Sequence, residues 1–240
     1  MTMQGNPRDR QRFCVVAPAY MEEKRIGDVV RRIHRHAADV IVVDDGSTDR
    51  TAAEAAAAGA VVLRHERNQG KGAALNTGFQ YAREHKFDYL ITMDADGQHD
   101  PEDLPVFIEA YRRTGIPVLI GNRMGTLSNM PLVRKLTNRF MSWLLSREMR
   151  QYVPDTQCGF RLYRCDEIPF ISAESTRYAA ESEILLHVAA RGIRIDAVPI
   201  AVIYRDEKSK INPARDTLRF IAMLHRHHRR ARQAQHARGI

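Results

Sequence analysis

Short apolar runs alternate with amphipathic segments over the first 120 residues of the chain. The apolar runs predict buried strands at 13–17, 40–43, 60–63, 89–93 and 118–120. Hydrophobic residues at helical spacing predict intervening helices at 22–36, 49–58, 72–84 and 102–113. This alternation is typical of an α/β fold, in which helices cover both faces of a mostly parallel sheet. In such folds ligands bind beyond the carboxyl ends of the strands.

The alternation is less regular after Gly121. The remaining sequence predicts helices and strands in the order helix 131–147, strand 160–163, helix 181–191, strand 195–204 and helix 213–232. The last helix has an apolar first half and a second half made mostly of Arg and His. We therefore expect three parts, which are a disordered N-terminal extension at 1–12, one domain at 13–212 and a basic helical tail at 213–240.

Positive charge is concentrated near the carboxyl end. The 240 residues carry a formal net charge of +8, and residues 214–240, with seven Arg and one Asp, contribute +6 of it. Such a tail can bind anionic lipid or another polyanion, but few aromatic residues accompany the charges, which disfavours nucleic-acid binding. The sequence has no signal-type apolar segment at its start and no run of about 20 apolar residues. We expect a cytoplasmic protein that meets the membrane only from its surface.

An acidic segment directly follows the predicted strand at 89–93. It contains Asp94 and Asp96, one residue apart, with Gln98 two positions further on. Two carboxylates and an amide oxygen at a strand end suit Mg²⁺ or Mn²⁺, which prefer oxygen ligands. The alternative is an acidic turn that caps the helix beginning near residue 102. The position at the ligand-binding edge of a parallel sheet favours the metal site.

Three further segments follow predicted strands, at 18–22, 44–49 and 68–72. They offer an aromatic ring with a carboxylate, an acidic pair, and a lysine, Lys71, between glycines. Together they could hold a nucleotide, although 44–49 is equally a turn in which Ser47 or Thr48 caps the next helix. The P-loop spacing and the dinucleotide-binding glycine pattern are both missing, which disfavours Walker-type ATPases and dinucleotide oxidoreductases.

Five motifs resemble, in order, those of family-two glycosyltransferases with the GT-A fold. They are P-A-Y-M-E at 18–22, V-V-D-D-G-S-T-D at 42–49, N-Q-G-K-G-A-A-L-N-T-G at 68–78, M-D-A-D-G-Q-H-D-P-E at 93–102 and D-T-Q-C-G-F-R-L-Y-R at 155–164. More closely, residues 13–212 resemble the polyprenyl-phosphate sugar synthases of that family. The resemblance implies inverting transfer of a hexose from a nucleoside diphosphate sugar to a polyprenyl phosphate.

The resemblance also implies roles for individual residues. The implied contacts with the donor nucleotide are Pro18, Tyr20, Glu22, Asp45, Asp94 and Arg205, and we add Lys71 to them. The implied ligands of Mg²⁺ or Mn²⁺ on the donor diphosphate are Asp94, Asp96 and Gln98. The implied acceptor-phosphate contacts are Arg123, Arg134 and Asn138. Arg205 and Lys210 match a loop that, in this family, closes over the diphosphate. The residues on which we expect catalysis to depend are Asp94, Asp96, Arg123, Arg134 and Lys210. Two residues depart from the family pattern: Met21 stands where Asn is common, and Asn138 where Ser is expected.

The chemistry of this transfer agrees with the residue types. A phosphate acceptor is already anionic at neutral pH, so arginines and a metal ion that position the two phosphates matter more than a strong base. Asp155 and Glu183 could orient the acceptor. The sequence leaves open whether the donor is a UDP or a GDP sugar. The alternatives are a soluble sugar or polysaccharide acceptor and, in a different class, a polyanion-binding protein that uses the basic tail.

The segment from 132 to 149 is predicted to form an amphipathic helix with basic residues interspersed among apolar ones. Its apolar residues at helical spacing are Val133, Leu136, Phe140, Trp143 and Leu144, and its basic residues are Arg134, Lys135, Arg139 and Arg147. The same period arises when a helix packs on a sheet and when it lies on a membrane surface. In the second case Trp143 would be an interfacial anchor.

Overall fold

The structure is a computed structural model that describes residues 7–124, 132–170 and 179–201, together with Phe220, Leu224 and Arg229. For 132–134, 168–170 and 179 it describes the backbone alone. The strands are β1 (Phe13–Ala19), β2 (Asp39–Asp44), β3 (Val61–Arg64), β4 (Tyr89–Thr92), β5 (Val118–Asn122), β6 (Arg161–Arg164) and β7 (Ile195–Pro199). The α-helices are α1 (Ile26–Ile33), α2 (Thr51–Ala57), α3 (Lys71–Glu84), α4 (Leu104–Thr114), α5 (Leu132–Met149) and α6 (Ala179–Ala190). Short 3-10 helices span Pro7–Arg10, Pro101–Asp103 and Cys165–Phe170.

These strands form one sheet in the order β3-β2-β1-β4-β6-β5-β7. β6 is antiparallel to both of its neighbours, and the other pairs are parallel. The predicted α/β fold with a mostly parallel sheet is therefore confirmed. Because β6 runs in the opposite direction, Arg161 at its start pairs with Thr92 and Ile120 near the carboxyl ends of β4 and β5. The segment that precedes β6 therefore lies at the same edge as the acidic motifs.

The central strands are buried along nearly their whole length, as expected for a parallel sheet covered on both faces. Helix α3 packs closely on this core at Gly78. An added Cβ at Gly78 would lie 2.3 Å from Cγ1 of Val16 in β1. Lys71 lies in the first turn of this helix.

Several boundaries differ from the sequence prediction. α1 begins at Ile26 and not near residue 22, because the preceding residues belong to a loop bonded to the segment after β2. β7 ends at Pro199, where its partner β5 ends at Asn122, and not at 204. In the predicted N-terminal extension, Arg8 donates a hydrogen bond to the Arg112 carbonyl oxygen, so part of it contacts the domain.

The tail prediction lies largely outside the described residues. Three residues of the predicted tail helix are described; Phe220 and Leu224 are buried and Arg229 is exposed, and all three are helical. Among the described helices, none is long and apolar enough to cross a membrane.

We expect Gly78→Ala to lower the free energy of unfolding by about 2 kcal/mol, because the new methyl group overpacks a site closed by Val16. Gly27→Ala is the matched control, since its Cβ would meet only the mobile end of Arg31 at 3.3 Å and the Glu54 carbonyl at 3.6 Å. Urea denaturation of both variants measures the difference. Equal stabilities would contradict close packing at Gly78.

Candidate active site

The candidate site lies where the carboxyl ends of β1, β2, β4 and β5 meet the start of β6. Each of these strands leads into a polar segment at this edge. The site is therefore assembled from loops held by a buried sheet, as is usual for ligand sites in α/β folds. Sequence reasoning predicted this edge from the strand-end positions of the acidic residues.

Asp45, directly after β2, organises the loop that leads into α3. Its carboxylate accepts backbone hydrogen bonds from Gln69 (2.9 Å) and Gly70 (2.7 Å) and contacts Nδ1 of His65 at 2.8 Å. Nε2 of His65 lies 2.9 Å from Oγ1 of Thr77. The buried Asp45 carboxylate thus fixes the backbone on which Lys71 stands. Its contact with a nucleotide stays a prediction.

The segment after β2 holds the loop after β1 in place. Oγ of Ser47 accepts a hydrogen bond from the Met21 amide (2.9 Å), and Oγ1 of Thr51 accepts one from the Glu22 amide (2.8 Å). The prediction that Ser47 or Thr48 caps the next helix is wrong, because the residue before α2 is Arg50 and makes no side-chain capping bond. The hydroxyl of Ser47 binds the neighbouring loop instead.

The loop after β1 presents an exposed aromatic ring beside an unusual backbone. Tyr20 and Met21 are exposed, whereas Glu22 is buried and pairs with Arg25 at 2.9 Å. Met21 has φ of +59°, in the left-handed region that Asn tolerates better than Met. The departure from the family's Asn therefore falls at a strained position.

Lys71, at the start of α3, bridges two carboxylates from distant parts of the chain. Its Nζ donates hydrogen bonds to Oδ1 of Asp94 after β4 and to Oε1 of Glu181 in α6, the latter at 2.9 Å. Gly159 closes this cluster, since an added Cβ there would lie 2.8 Å from Oε1 of Glu181 and 2.9 Å from Oδ2 of Asp94. Sequence reasoning missed Glu181, because its approach depends on how α6 packs.

The three groups stabilise one another's charges. Burial disfavours the ammonium of Lys71, but the two neighbouring carboxylates outweigh burial and raise its pKa. Burial likewise opposes ionisation of Asp94, yet Lys71 prevails and lowers the pKa of Asp94 to about 2. Asp94 is therefore a carboxylate at neutral pH, already paired with a cation.

The remaining acidic residues of this loop divide into two roles. Asp100 accepts a hydrogen bond from the Glu102 amide (3.1 Å) at the start of the 3-10 helix and pairs with Arg32. Asp100 therefore caps the 3-10 helix Pro101–Asp103, and this role does not fall to Asp94 or Asp96. Asp96 accepts a hydrogen bond from the Gln98 amide (2.9 Å) across Gly97, which has φ of +72°. This turn places Asp96 and Gln98 beside each other.

His99 supports the same loop from beneath, a role that sequence reasoning missed. The Asp94 amide donates to its Nδ1 at 3.2 Å, and its Nε2 lies 3.8 Å from Sγ of Cys158. Burial lowers the pKa of His99 and so favours the neutral ring. Because Nδ1 accepts the Asp94 amide, the neutral ring carries its proton on Nε2. His99 therefore links the loop after β4 to the segment before β6.

Arg123, directly after β5, forms a buried ion pair with Asp155. Nε donates to Oδ2 at 2.7 Å and a terminal nitrogen donates to Oδ1 at 2.9 Å, which is the bidentate geometry of a strong pair. The charge of Arg123 is also close enough to lower the pKa of Asp94 further. Arg123 and the Lys71 cluster thus belong to one site, with Asp155 orienting the guanidinium group.

Arg161 is a further basic residue of this edge, and it is only 1% exposed. Its guanidinium group donates to the carbonyl oxygens of Thr156 (2.9 Å), Cys158 (2.6 Å) and Glu181 (2.7 Å). It also contacts the hydroxyl of Tyr163 at 3.2 Å. Arg161 therefore fixes the segment before β6 and the start of α6.

The other predicted site residues are placed less completely. Asn138 is half-buried on α5, and Glu183 is buried in α6. The side chain of Arg134 and the whole of Arg205 and Lys210 lie outside the described residues. Pro18 lies in β1, beside β2.

The residues at this edge offer oxygen ligands but no complete metal cage. Among the residues that the structure describes, no group of three or more His, Cys, Asp and Glu side chains is arranged to hold a metal ion. A cation bound by Asp94 and Asp96 would therefore need further oxygen atoms from a substrate or from water.

Comparison with known proteins agrees with the motifs. Residues 14–168 match the family described as Glycosyl transferase family 2. The UDP-N-acetylglucosamine–dolichyl-phosphate N-acetylglucosaminyltransferase of Methanococcus voltae is 32% identical, over 80% of this chain and 86% of the relative. The undecaprenyl-phosphate mannosyltransferase of Micrococcus luteus is 33% identical, over 81% of this chain and 85% of the relative.

A solved structure shares the fold. The glucosyl-3-phosphoglycerate synthase of Mycobacterium tuberculosis, crystallised with Mn²⁺, uridine diphosphate and phosphoglyceric acid, superposes with a TM-score of 0.69 and 22% identity. The match covers 90% of this chain and 78% of the synthase. With the sheet order, the ordered motifs and these relatives in agreement, the chain belongs to glycosyltransferase family 2 and has a fold of the GT-A type.

Proposed function

We propose that this glycosyltransferase moves a hexose from a nucleoside diphosphate sugar to a polyprenyl phosphate. The observation that carries the proposal is the pairing, at one sheet edge, of the Lys71–Asp94–Glu181 cluster with the Arg123–Asp155 ion pair. These two groups supply a place for a leaving diphosphate and a place for an anionic acceptor. The two relatives named after polyprenyl-phosphate substrates support the choice of acceptor.

The residues after β4 fit a hard divalent cation on the donor side. Asp94 is ionised, Asp96 lies beside Gln98, and all three offer oxygen atoms, so they would hold Mg²⁺ or Mn²⁺. Such a cation, when bound, neutralises charge on the departing diphosphate. The synthase from M. tuberculosis was crystallised with Mn²⁺ or Mg²⁺ together with uridine diphosphate, which supports this expectation.

Lys71 has two successive roles in this proposal. Without substrate, its ammonium group neutralises Asp94 and Glu181 in a buried setting. When a diphosphate enters, its oxygens offer the ammonium group a competing set of acceptors, while Glu181 keeps the lysine near the site. The lysine then contributes positive charge where the leaving group gains negative charge.

Arg123 serves the acceptor side. Asp155 fixes the plane of its guanidinium group, so a phosphate oxygen meets a donor already in position. The acceptor oxygen is anionic at neutral pH, and a strong general base is unnecessary. Arg134 and Asn138 on α5 complete the proposed phosphate contacts, together with Arg205 and Lys210. The proposed contacts with base and ribose are Pro18, Tyr20, Glu22 and Asp45.

The membrane association of the protein is also part of the proposal. A polyprenyl acceptor resides in a bilayer, so the enzyme would work peripherally at the cytoplasmic face. The basic tail at 214–240, with its net charge of +6, remains one predicted contact with anionic lipid.

A soluble phosphorylated acceptor is the second candidate. It is favoured by the structural likeness to a synthase crystallised with phosphoglyceric acid. The two candidates separate in one assay, in which the purified full chain is offered UDP and GDP sugars with either a polyprenyl phosphate or phosphoglycerate. Transfer to the lipid supports the first candidate, and transfer only to phosphoglycerate overturns it.

We expect Asp96→Asn to reduce turnover on the order of 100-fold, because it removes one charge from the proposed cation site. Nucleotide binding should weaken with Mn²⁺ present and change little without it, as calorimetry would show. Asp100→Asn is the control, since Asp100 caps a 3-10 helix in the same loop and an Asn can still accept that hydrogen bond. Equal effects of the two substitutions would contradict a metal role for Asp96.

Lys71→Met should have opposite effects on metal and nucleotide. Removing the ammonium group from Asp94 should strengthen Mn²⁺ binding in the absence of nucleotide by roughly tenfold, since one unit charge beside a carboxylate is lost. Binding of a nucleoside diphosphate should weaken. The exposed Lys24→Met is the control. Metal binding that stays the same or weakens would show that Lys71 does not compete for Asp94.

Arg123→Lys keeps the positive charge but loses the bidentate geometry toward Asp155. We expect kcat/KM for the polyprenyl phosphate to fall roughly thirtyfold, while nucleotide affinity stays unchanged. Arg164→Lys is the control, because Arg164 pairs with Asp166 and Glu167 at the other end of β6. A loss of nucleotide affinity in Arg123→Lys would place this arginine in the donor site.

A further inference from the structure

Helix α5 carries three large apolar side chains on its outer face. Leu136 is 58% exposed, Phe140 51% and Trp143 57%, and their spacing of four and three residues places them on one side of the helix. The rings of Phe140 and Trp143 lie 6.1 Å apart. We call these three residues the outer stripe. Exposed apolar side chains that form a continuous stripe, unlike scattered ones, indicate a surface of interaction.

The inner face of α5 is fixed to the acceptor side of the site. Oγ of Ser142 accepts a hydrogen bond from the Thr156 amide and Oγ of Ser146 accepts one from the Val153 amide, both at 3.0 Å. The segment held in this way includes Asp155, the partner of Arg123. Whatever binds the outer stripe is therefore positioned against the proposed acceptor site through one rigid helix.

Basic side chains accompany the outer stripe. α5 contains four basic residues and one acidic residue, and Arg139 and Arg147 are exposed. The guanidinium group of Arg147 lies over the ring of Trp143, 6.0 Å from its centroid. Aromatic and apolar groups mixed with cations on one helix face are typical of helices that lie in a membrane interface rich in anionic lipid.

A second copy of the chain fits this face less well. Two such helices packed face to face would bring the arginines of both copies together, and like charges across an interface oppose association. Helix α5 is only about 27 Å long, and its exposed apolar side chains form one narrow row. This row offers little apolar area for contact with a second copy. The mixture of charge and apolar surface therefore favours a bilayer.

We propose that the outer stripe of α5 docks the protein on an anionic lipid bilayer. Trp143 and Phe140 enter the interface beside Leu136, and Arg139 and Arg147 meet lipid phosphates. The functional meaning of this docking rests on the proposed lipid acceptor, because docking through α5 would bring the acceptor side of the site to the membrane. Its physical basis in exposure and charge does not depend on that function.

Trp143 is the sole tryptophan of the chain, so its fluorescence reports directly on this surface. The full-length protein is titrated with phosphatidylcholine vesicles that contain about one third phosphatidylglycerol, in low and high salt. We expect a blue shift of the emission, quenching by brominated lipids and weaker binding in high salt. Neither donor nor acceptor is needed, so this result stands or falls separately from the transfer reaction.

Leu136→Ser/Phe140→Ser keeps Trp143 as the reporter, and we expect it to bind the vesicles about tenfold or more weakly. Val106→Ser is the matched control, since Val106 is 41% exposed on another helix, α4. The double variant retains the basic tail, so equal sedimentation of the double variant and the unchanged protein would overturn the proposal. Emission that is already blue-shifted in buffer, or that shifts with protein concentration alone, would overturn it in favour of the protein's own chain or a second copy.

Discussion

The candidate site depends on one buried guanidinium group. Arg161 lies at the start of β6, the strand that runs against its neighbours, and donates to carbonyl oxygens of the preceding segment and of α6. These bonds satisfy backbone groups that would otherwise be buried without partners, at a cost of about 1–3 kcal/mol each. They also fix the two places from which Asp155 and Glu181 reach the site. Arg161 thus positions backbone close to both carboxylates, and Arg123 and Lys71 then pair with the carboxylates themselves.

A second constraint is the gathering of negative charge at one edge of the sheet. Carboxylates from four segments converge there, and their mutual repulsion requires nearby cations or hydrogen-bond donors. The structure meets this need from within the chain. Lys71 lies between Asp94 and Glu181, backbone amides and His65 surround Asp45, and Arg123 pairs with Asp155.

The sequence alone predicted the sheet, the site edge and the main acidic residues. Buried strands are apolar runs in the sequence, and the ends of these strands carry recognisable polar motifs. Both can therefore be predicted from a few neighbouring residues. Partners brought by distant segments were not predictable in this way. Glu181 reaches Lys71 only because α6 packs against α3 and α5. The guanidinium group of Arg161 donates to carbonyl oxygens, and such backbone partners have no sequence signature. Similarly, the helical spacing of apolar residues in α5 could not show which of them are buried.

The antiparallel strand β6 marks off one part of the chain, between β5 and β6, whose length can change more freely than that of the rest. The chain leaves the sheet after β5 and returns beside it, with Ile120 paired to Arg161, so everything between these residues is an excursion whose two ends already meet. Lengthening such an excursion costs only the slowly growing entropy of loop closure. The parallel strands β1, β2 and β4, which lead into the proposed donor residues, lie outside this excursion. Under the proposed roles, a change of acceptor preference can therefore arise within this excursion, which carries Arg123 and α5, while the proposed donor residues stay unchanged.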